Sequence, residues 1–579
     1  MFNLPRSSWD DYDKTLISKG GGVHPRTAKS IPLSSEARAA LGIEESELTP
    51  AALMKAILKA PADLLYNGGI GTYVKASHQS NAEVGDRAND AIRVNGADLR
   101  CKVVGEGGNL GFTQLGRVEY ALAGGRVFSD AIDNSAGVDC SDHEVNIKIL
   151  LGMLAEDGEM TLKQRNNLLA EMTDEVAALV LADNYYQTQS LAVQGVRADK
   201  LLDAQAALIR SLEKAGKLNR AVEFLPSEDE IAERRAAKAG LTPPERAVLL
   251  AYSKIVLSDE LAGAALVDDE YVGKTLIDYF PPRLRARYAD YMKRHALRRE
   301  IVSTVVANTM ISRTGSVFVY RMQEETGAGA EEVTRAFIVV RDVFGLEPLW
   351  LEIDALDNKV PAQLQYEMLT DVGRLVVRAT LWFLRRRREK LPIAQVLDIF
   401  KPGVAALRTS MPVLLSPADR AAWDASVARI TQQGVPGNLA QSIANLDAIY
   451  GVLDVTEVSH EQKKGAEVIS TLYFALGGEL ELRWISERIS LLPTDTSWQA
   501  LARNALRDDL AAQHRAITAT VAKLSPHDDD PGRMLLAWKE RYGPAITRLK
   551  SMIEDLRRTG GTLDLAVLSV LLRELRTLA

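Results

Sequence analysis

Apolar positions along this chain of 579 residues follow two different rhythms. As far as about residue 150 they come in short bursts interrupted by glycine. LRCKVVG around Val103 and GGRVFSD around Val127 read as strands, and GGG at Gly20 to Gly22, GGIG at Gly68 to Gly71, GEGG at Gly105 to Gly108 and AGG ending at Gly125 punctuate them. Between the bursts lie helical stretches. Thr49-Pro50 opens one with Pro at the first helical position and Leu53, Ile57 and Leu58 on its apolar side, until Pro61 stops it. LGRVEYALAGG predicts another, ended by Gly124. Short strands alternating with helices predict an α/β sheet whose strands end in glycine-rich turns, the place where such sheets bind ligands.

Beyond about residue 145 the spacing becomes helical. Thr161 and Gln164 form a capping box ahead of Leu168, Leu169, Met172, Val176, Leu179 and Val180, one face of a single long helix. EFLPSEDEIAERRAAKAG, Glu223 to Gly240, is a polar boundary, after which Thr242-Pro243-Pro244-Glu245 starts a helix through LLAYSKIVL. Further helices are predicted over Leu284 to Thr309, Gly329 to Arg341, Ala362 to Lys390, Leu391 to Phe400, Ser416 to Gln433, Ser459 to Phe474, Ser497 to Leu524 and Arg533 to Gly561, with almost no strand signal. The chain is therefore divided into an α/β part over 1–200, a helical domain over 201–405 and a C-terminal helical subdomain over 406–579. No repeat of constant period supports a solenoid.

Composition narrows the class. A quarter of the residues are charged and 46% are apolar, as in a globular protein, and a formal net charge of -7 gives no general reason to expect a nucleic-acid partner. Cys101 and Cys140 are the only cysteines, which argues against a disulfide framework and suits a reducing compartment. No apolar run approaches the roughly 20 residues of a membrane span, and MFNLPRSSWDDYDK does not read as a signal peptide, so the default location is the cytoplasm.

The densest group of chemistry-bearing side chains is AIDNSAGVDCSDHEVN, Ala131 to Asn146. As a metal site it lacks the spacing of C-x-x-C or H-E-x-x-H. On a helix Asp139 and His143 share a face, as do Cys140 and Glu144, but each pair supplies only two ligands, so no metal is expected. As a nucleophilic centre it lacks the G-x-S-x-G elbow, and His143, two residues from Ser141, does not face it. A small-residue turn, Asn134-Ser135-Ala136-Gly137, leading into a helix N-terminus accounts better for the early acids and lets a polar ligand approach. VVGEGGNLGFTQ, Val103 to Gln114, has the same character. It departs from G-x-G-x-x-G, because Leu110 follows the glycines and Gly111 comes six positions after Gly105, so a nucleotide-binding turn and an ordinary tight turn both remain open. GGIGTYVK lacks the G-K-[ST] ending of a phosphate loop.

Taken together and in order, LPRSSWDDYDKTLISKGGG, PADLLYNGGIGTYVKAS, VVGEGGNLGFTQLGR and DAIDNSAGVDCSDHEVN closely resemble the C-terminal portion of the large bacterial NAD-specific glutamate dehydrogenases. The resemblance covers essentially the whole chain and includes DNYYQTQS and RTGSVFVYRMQEETGA. It implies reversible conversion of glutamate, NAD and water to 2-oxoglutarate, ammonia and NADH. It also implies a partial Rossmann-like dinucleotide-binding domain followed by a large mainly α-helical region, in a cytoplasmic homo-oligomer. EGGN looks like the EGAN-type turn of smaller glutamate dehydrogenases, which assigns Glu106, Gly107, Gly108 and Asn109 to NAD, with Asn109 on the nicotinamide ribose side. Asn134 to Ser141 matches their NAGGVxxS segment. That match puts Asn134 at the junction of nicotinamide and substrate, gives Val138 the shaping of the substrate pocket and lets Ser141 bind a glutamate carboxylate. Ser135 and Ala136 stand where the family usually has Ala and Gly, which keeps both positions small.

The family's substrate lysines, its proton-transferring aspartate and its pyrophosphate loop match no stretch here, so no catalytic Lys or Asp is assigned. Hydride transfer needs nicotinamide and substrate aligned at close contact. The chain is therefore expected to be a truncated or separately encoded C-terminal portion, inactive alone and completed by an N-terminal partner. The alternative is a noncatalytic helical scaffold or regulatory module that keeps a vestigial ligand wall. The remaining features have plain explanations: Arg385 to Arg388 a solvated helix end, Asp528 to Asp530 an exposed linker, and Tyr185 and Tyr186 a packed aromatic pair.

Overall fold

Where the apolar bursts alternate with glycine, two pairs of parallel strands form. The computed structural model describes residues 7–386, 392–493, 497–559 and 564–579. Strands β1 (Leu64–Asn67), β2 (Val74–Lys75), β3 (Val94–Asn95) and β4 (Val103–Glu106) pair as β1 with β4 and β2 with β3. In the first pair Leu64 lies opposite Val103 and Asn67 opposite Glu106, so both strands end at the same level. Beneath them Val74, Val94, Cys101, Val104, Phe112 and Tyr120 make an apolar core, and the buried Tyr120 hydroxyl donates to the Cys101 carbonyl at 2.9 Å. The expected strand around Val127 is reduced to one parallel bridge, Val103 to Arg126. The α/β expectation thus holds only coarsely: small parallel sheets sit in a mainly helical chain.

The described residues divide into two compact units, one reaching to Tyr320 and the other starting at Arg321. The first contains helices α1 (Pro50–Leu58), α2 (Gln114–Leu122), α3 (Asp130–Asp133), α4 (Ala136–Glu156), α5 (Leu162–Glu171), α6 (Thr173–Gly195), α7 (Ala198–Lys214), α8 (Pro243–Ala262), α9 (Lys274–Tyr279), α10 (Pro282–Lys293) and α11 (Arg298–Thr314). Several starts follow from capping. Thr49 accepts from the Ala52 amide ahead of Pro50, and Thr161 and Gln164 cap each other reciprocally. At α8 the Glu245 carboxylate takes the Thr242 amide and hydroxyl, each at 2.7 Å, and is itself bound by Arg234. Two expected helices are broken. Met172 divides α5 from α6, and the 284–309 helix is α10 and α11, separated at Arg294 to Leu297 where His295 accepts from the Leu297 amide.

Among the described residues the second unit is entirely helical. Its main members are α12 (Ala330–Val343), α13 (Ala362–Arg386), α14 (Ile393–Leu414), α15 (Val452–Gln462), α16 (Ala466–Glu479), α17 (Ser497–Leu524), α18 (Pro531–Thr559) and α19 (Leu565–Arg576). Helix α14 does not stop at Phe400 as expected but runs through Pro402 and Pro412. An internal Pro costs about 3 kcal/mol, while each fully buried large apolar side chain returns roughly 1.5–3 kcal/mol. Val396, Phe400, Val404, Leu407 and Met411 form such a buried stripe, which outweighs the lost donors. The helix expected over Ser459 to Phe474 is corrected to α15 and α16, with Lys463 in a left-handed conformation between them. Arg385 pairs with Glu325 and Asp508, and Arg386 lies 3.9 Å from Glu457; Arg387 and Arg388 lie outside the described residues. No described helix is long and apolar enough to cross a membrane.

Candidate functional site

The shared end of β1 and β4 is where the glycines act. After Glu106 the chain turns back so that the Gly107 and Gly108 amides both donate to the Asn67 carbonyl, at 2.8 and 3.1 Å. A side chain at Gly108 would place its Cβ 2.7 Å from the Gly69 carbonyl oxygen, so the two glycine-rich turns touch backbone to backbone. Leu110 closes the turn at φ +59°, a left-handed conformation that is costly for a branched residue unless its surroundings hold it.

What holds it is a set of carboxylates from α3. The Asp130 carboxylate accepts from the Leu110 amide at 2.8 Å, and that of Asp133 accepts from the Glu106 amide at 2.9 Å. Behind the turn the Glu106 carboxylate is wholly buried and takes two hydrogen bonds from Arg117 of α2, at 2.8 and 2.7 Å. Arg117 also reaches Asp130 at 3.1 Å. Burial pushes Asp133 up to about 6, with the negative charge of Glu106 adding to it and the Glu106 amide opposing it. Arg117 is pulled down by burial but held protonated above its ordinary value by Glu106 and Asp130.

On this frame the two sequence segments meet. Asn134, at the C-terminal end of α3, donates through Nδ2 to Asn109 Oδ1 at 2.6 Å, closing a gap of 25 positions. Asn184 of α6 fixes the following turn by donating to the Ile132 carbonyl at 2.8 Å and to Ser135 Oγ at 2.9 Å. Helix α4 then begins, with Val138 70% exposed and Ser141 exposed one turn on, its hydroxyl donating to the Gly137 carbonyl. Gly107 and Asn109 are exposed and Gly108 is half-buried. Of the seven residues singled out from the sequence, Glu106 alone turns its side chain inward. Leu110 and Val138, next to the bonded asparagines, leave large apolar side chains in solvent.

The backbone amides of Gly107 and Gly108 are spent on the Asn67 carbonyl, whereas the side-chain amides of Asn109 and Asn134 keep hydrogen-bonding capacity beyond the bond they share. Sequence reasoning missed Arg117 and Asn184. LGR and DNYY belong to strings that carry the resemblance, but nothing in them showed that Arg117 and Asn184 hold these turns.

Comparison with known proteins gives this geometry a context. Residues 1–194 match the family described as Bacterial NAD-glutamate dehydrogenase, catalytic domain, and residues 238–577 match Glutamate dehydrogenase, C-terminal. Over its full length the chain is 47% identical to an NAD-specific glutamate dehydrogenase of Pseudomonas aeruginosa. It is 42% identical to one of Halomonas elongata and 41% identical to one of Mycobacterium tuberculosis. In each case it spans 36% of the relative's length, a little over a third. With more than half of its residues inside the C-terminal match, the chain belongs to the glutamate dehydrogenase family.

Proposed function

We propose that these residues are the C-terminal portion of an NAD-dependent glutamate dehydrogenase, and that the ends of β1 and β4 with the start of α4 form one wall of its active site. In this reading β1 and β4 belong to the second half of a Rossmann-like dinucleotide-binding domain. Bound NAD supplies the hydride acceptor for conversion of glutamate and water to 2-oxoglutarate and ammonia. Asn109 and Asn134 orient the nicotinamide ribose side. Glu106 contributes by fixing the turn through Arg117, and Gly107 and Gly108 by letting the two turns close. Val138 forms an apolar flank of the substrate pocket, and Ser141 redirects its hydroxyl from the Gly137 carbonyl to a glutamate carboxylate. The opposite wall, with the residues that polarise substrate and move its proton, is contributed from outside these 579 residues. The exposed Val138 and Leu110 are then apolar surface that the rest of the enzyme covers.

The observation that carries the proposal is the Asn134 to Asn109 hydrogen bond at the end of a parallel strand pair. It joins the two segments that the resemblance assigns to one ligand. Its test is substitution in an assembled enzyme. Ser141→Ala is expected to raise KM for glutamate about tenfold, the loss of one charge-assisted hydrogen bond of roughly 1.5 kcal/mol, with KM for NAD unchanged. Asn134→Ala is expected to raise both. Unchanged constants for both variants would remove these residues from the site.

A further inference from the structure

Helix α4 has a second polar face. Asp139, His143 and Asn146 follow one another at helical spacing on the side turned away from Val138, Ser141 and Val145. Asp183 of α6 comes up beside them. One donor atom from each of Asp139, His143 and Asp183 lies within 4.8 Å of the others. The His143 ring is 2% exposed, yet it makes no hydrogen bond among the described residues; its Nε2 is 3.9 Å from Asp139 Oδ1. Its Nδ1 and Asp139 Oδ2 are both buried without a partner. Tyr279 of α9 stacks on the imidazole with ring centres 4.5 Å apart and planes 17° from parallel, which sets the ring's orientation, and Asn146 Nδ2 in turn donates to the Tyr279 hydroxyl at 2.9 Å. Asp183 is exposed and forms no hydrogen bond or close ion pair among the described residues.

We propose that Asp139, His143 and Asp183 form a binding site for one divalent transition-metal cation of the Zn2+ or Mn2+ class. An imidazole with two carboxylates is a donor set for such ions, and three protein ligands leave a coordination position for water. Around a tetrahedral ion with bonds of about 2.0–2.2 Å the ligand atoms stand roughly 3.3–3.6 Å apart. The present spread therefore needs only side-chain adjustment, and exposed Asp183 gives the ion a route in. Sequence reasoning stopped at two ligands on one helix face, and the packing of α6 on α4 supplies the third. The site is independent of the dehydrogenase reading.

The local charge fits. The carboxylates of Asp183 and Asp142 bear on Asp139 with like charge, and Lys254 of α8 with opposite charge. Lys254 is the cation whose charge acts on both Asp139 and Asp183. Lys254 makes no close ion pair with either carboxylate among the described residues. A bound dication takes over its electrostatic role, so lysine and metal compete.

The test is a chelator-competition titration of the 579-residue chain with Zn2+, repeated with Mn2+ by electron paramagnetic resonance. Both use a Cys140→Ser background, because that thiol is exposed and next to the site. One ion per chain is expected. Asp183→Asn and His143→Gln should each weaken binding about tenfold or more, and Lys254→Met should tighten it several-fold. Asp183 is exposed, so its variant should unfold in chelator like the parent chain. Absence of stoichiometric binding, binding that Asp183→Asn leaves unchanged, or binding that Lys254→Met weakens would overturn the proposal.

Discussion

Arg117→Met is the sharpest probe of the turn on which the candidate site is built. The Arg117 and Glu106 side chains are 5% and 0% exposed, and the guanidinium holds the carboxylate with two hydrogen bonds while reaching Asp130. Methionine fills most of the volume but leaves Glu106 as a buried, uncompensated charge. Removing one partner of such a pair costs about 3–5 kcal/mol, a large part of a typical stability of about 5–15 kcal/mol. The strain should be felt first in the turn, since Glu106, Gly107, Gly108 and Leu110 donate their amides to Asp133, Asn67 and Asp130. Hydrogen exchange read by mass spectrometry over residues 103–114 is the assay. Exchange should accelerate roughly 100-fold or more, at about 1.4 kcal/mol per decade. Six of the seven tryptophans lie beyond Arg321, so tryptophan fluorescence provides an internal control that should not move. Glu106→Gln combined with Arg117→Met should recover more than half of the loss, because the double change removes both charges. Unchanged exchange in Arg117→Met, or a double variant no better than the single one, would refute the claim that this pair holds the turn.

Three further outcomes follow from the same geometry. Gly108→Ala should cost about 1–3 kcal/mol, read as faster exchange in both glycine-rich turns, because its Cβ meets the Gly69 carbonyl oxygen at 2.7 Å; Gly69→Ala, with nothing within 4 Å, should change little. Asn109→Ala should loosen the α3 to α4 junction, visible as faster exchange over residues 130–140, since Asn134 loses its acceptor. In the second unit, burial pushes Asp454 up to about 7 although Trp382 donates to it at 2.9 Å. The unfolded chain ionises this group near pH 4, so the folded state binds the extra proton and stability falls as pH rises from about 4 to 7. Asp454→Asn should flatten that slope in denaturation followed by tryptophan fluorescence.

The legible parts of the fold were those written in local chemistry. Helix starts at Pro50, Leu162 and Pro243 follow from Thr-Pro and capping-box strings, and the strand ending at Glu106 follows from an apolar run closed by glycines. Breaks without glycine or proline were not legible. The apolar stripe continues across Met172, and nothing between Arg294 and Leu297 announces that His295 will accept a backbone hydrogen bond there. Prolines misled in the opposite sense at Pro402 and Pro412, where burial outweighs a missing donor. At the candidate site the sequence offered Asn109, Asn134, Val138 and Ser141, which share local patterns with a known family. Arg117, Asp183 and Asn184 act only across the packed interior, from α2 and α6, and no spacing rule within one segment could have paired them with residues 11 positions away for Arg117 and 40 or more for Asp183 and Asn184.

The central claim is that these residues form one wall of a glutamate and NAD site. Its most direct test is NADH production from glutamate and NAD by the 579-residue chain alone, and by the same chain joined to the part of the Pseudomonas aeruginosa relative outside the match. The account predicts no turnover by the chain alone, and turnover by the joined protein that falls by at least about tenfold in Asn134→Ala and Ser141→Ala. Turnover by the chain alone, or a folded and active joined protein indifferent to both substitutions, would contradict it.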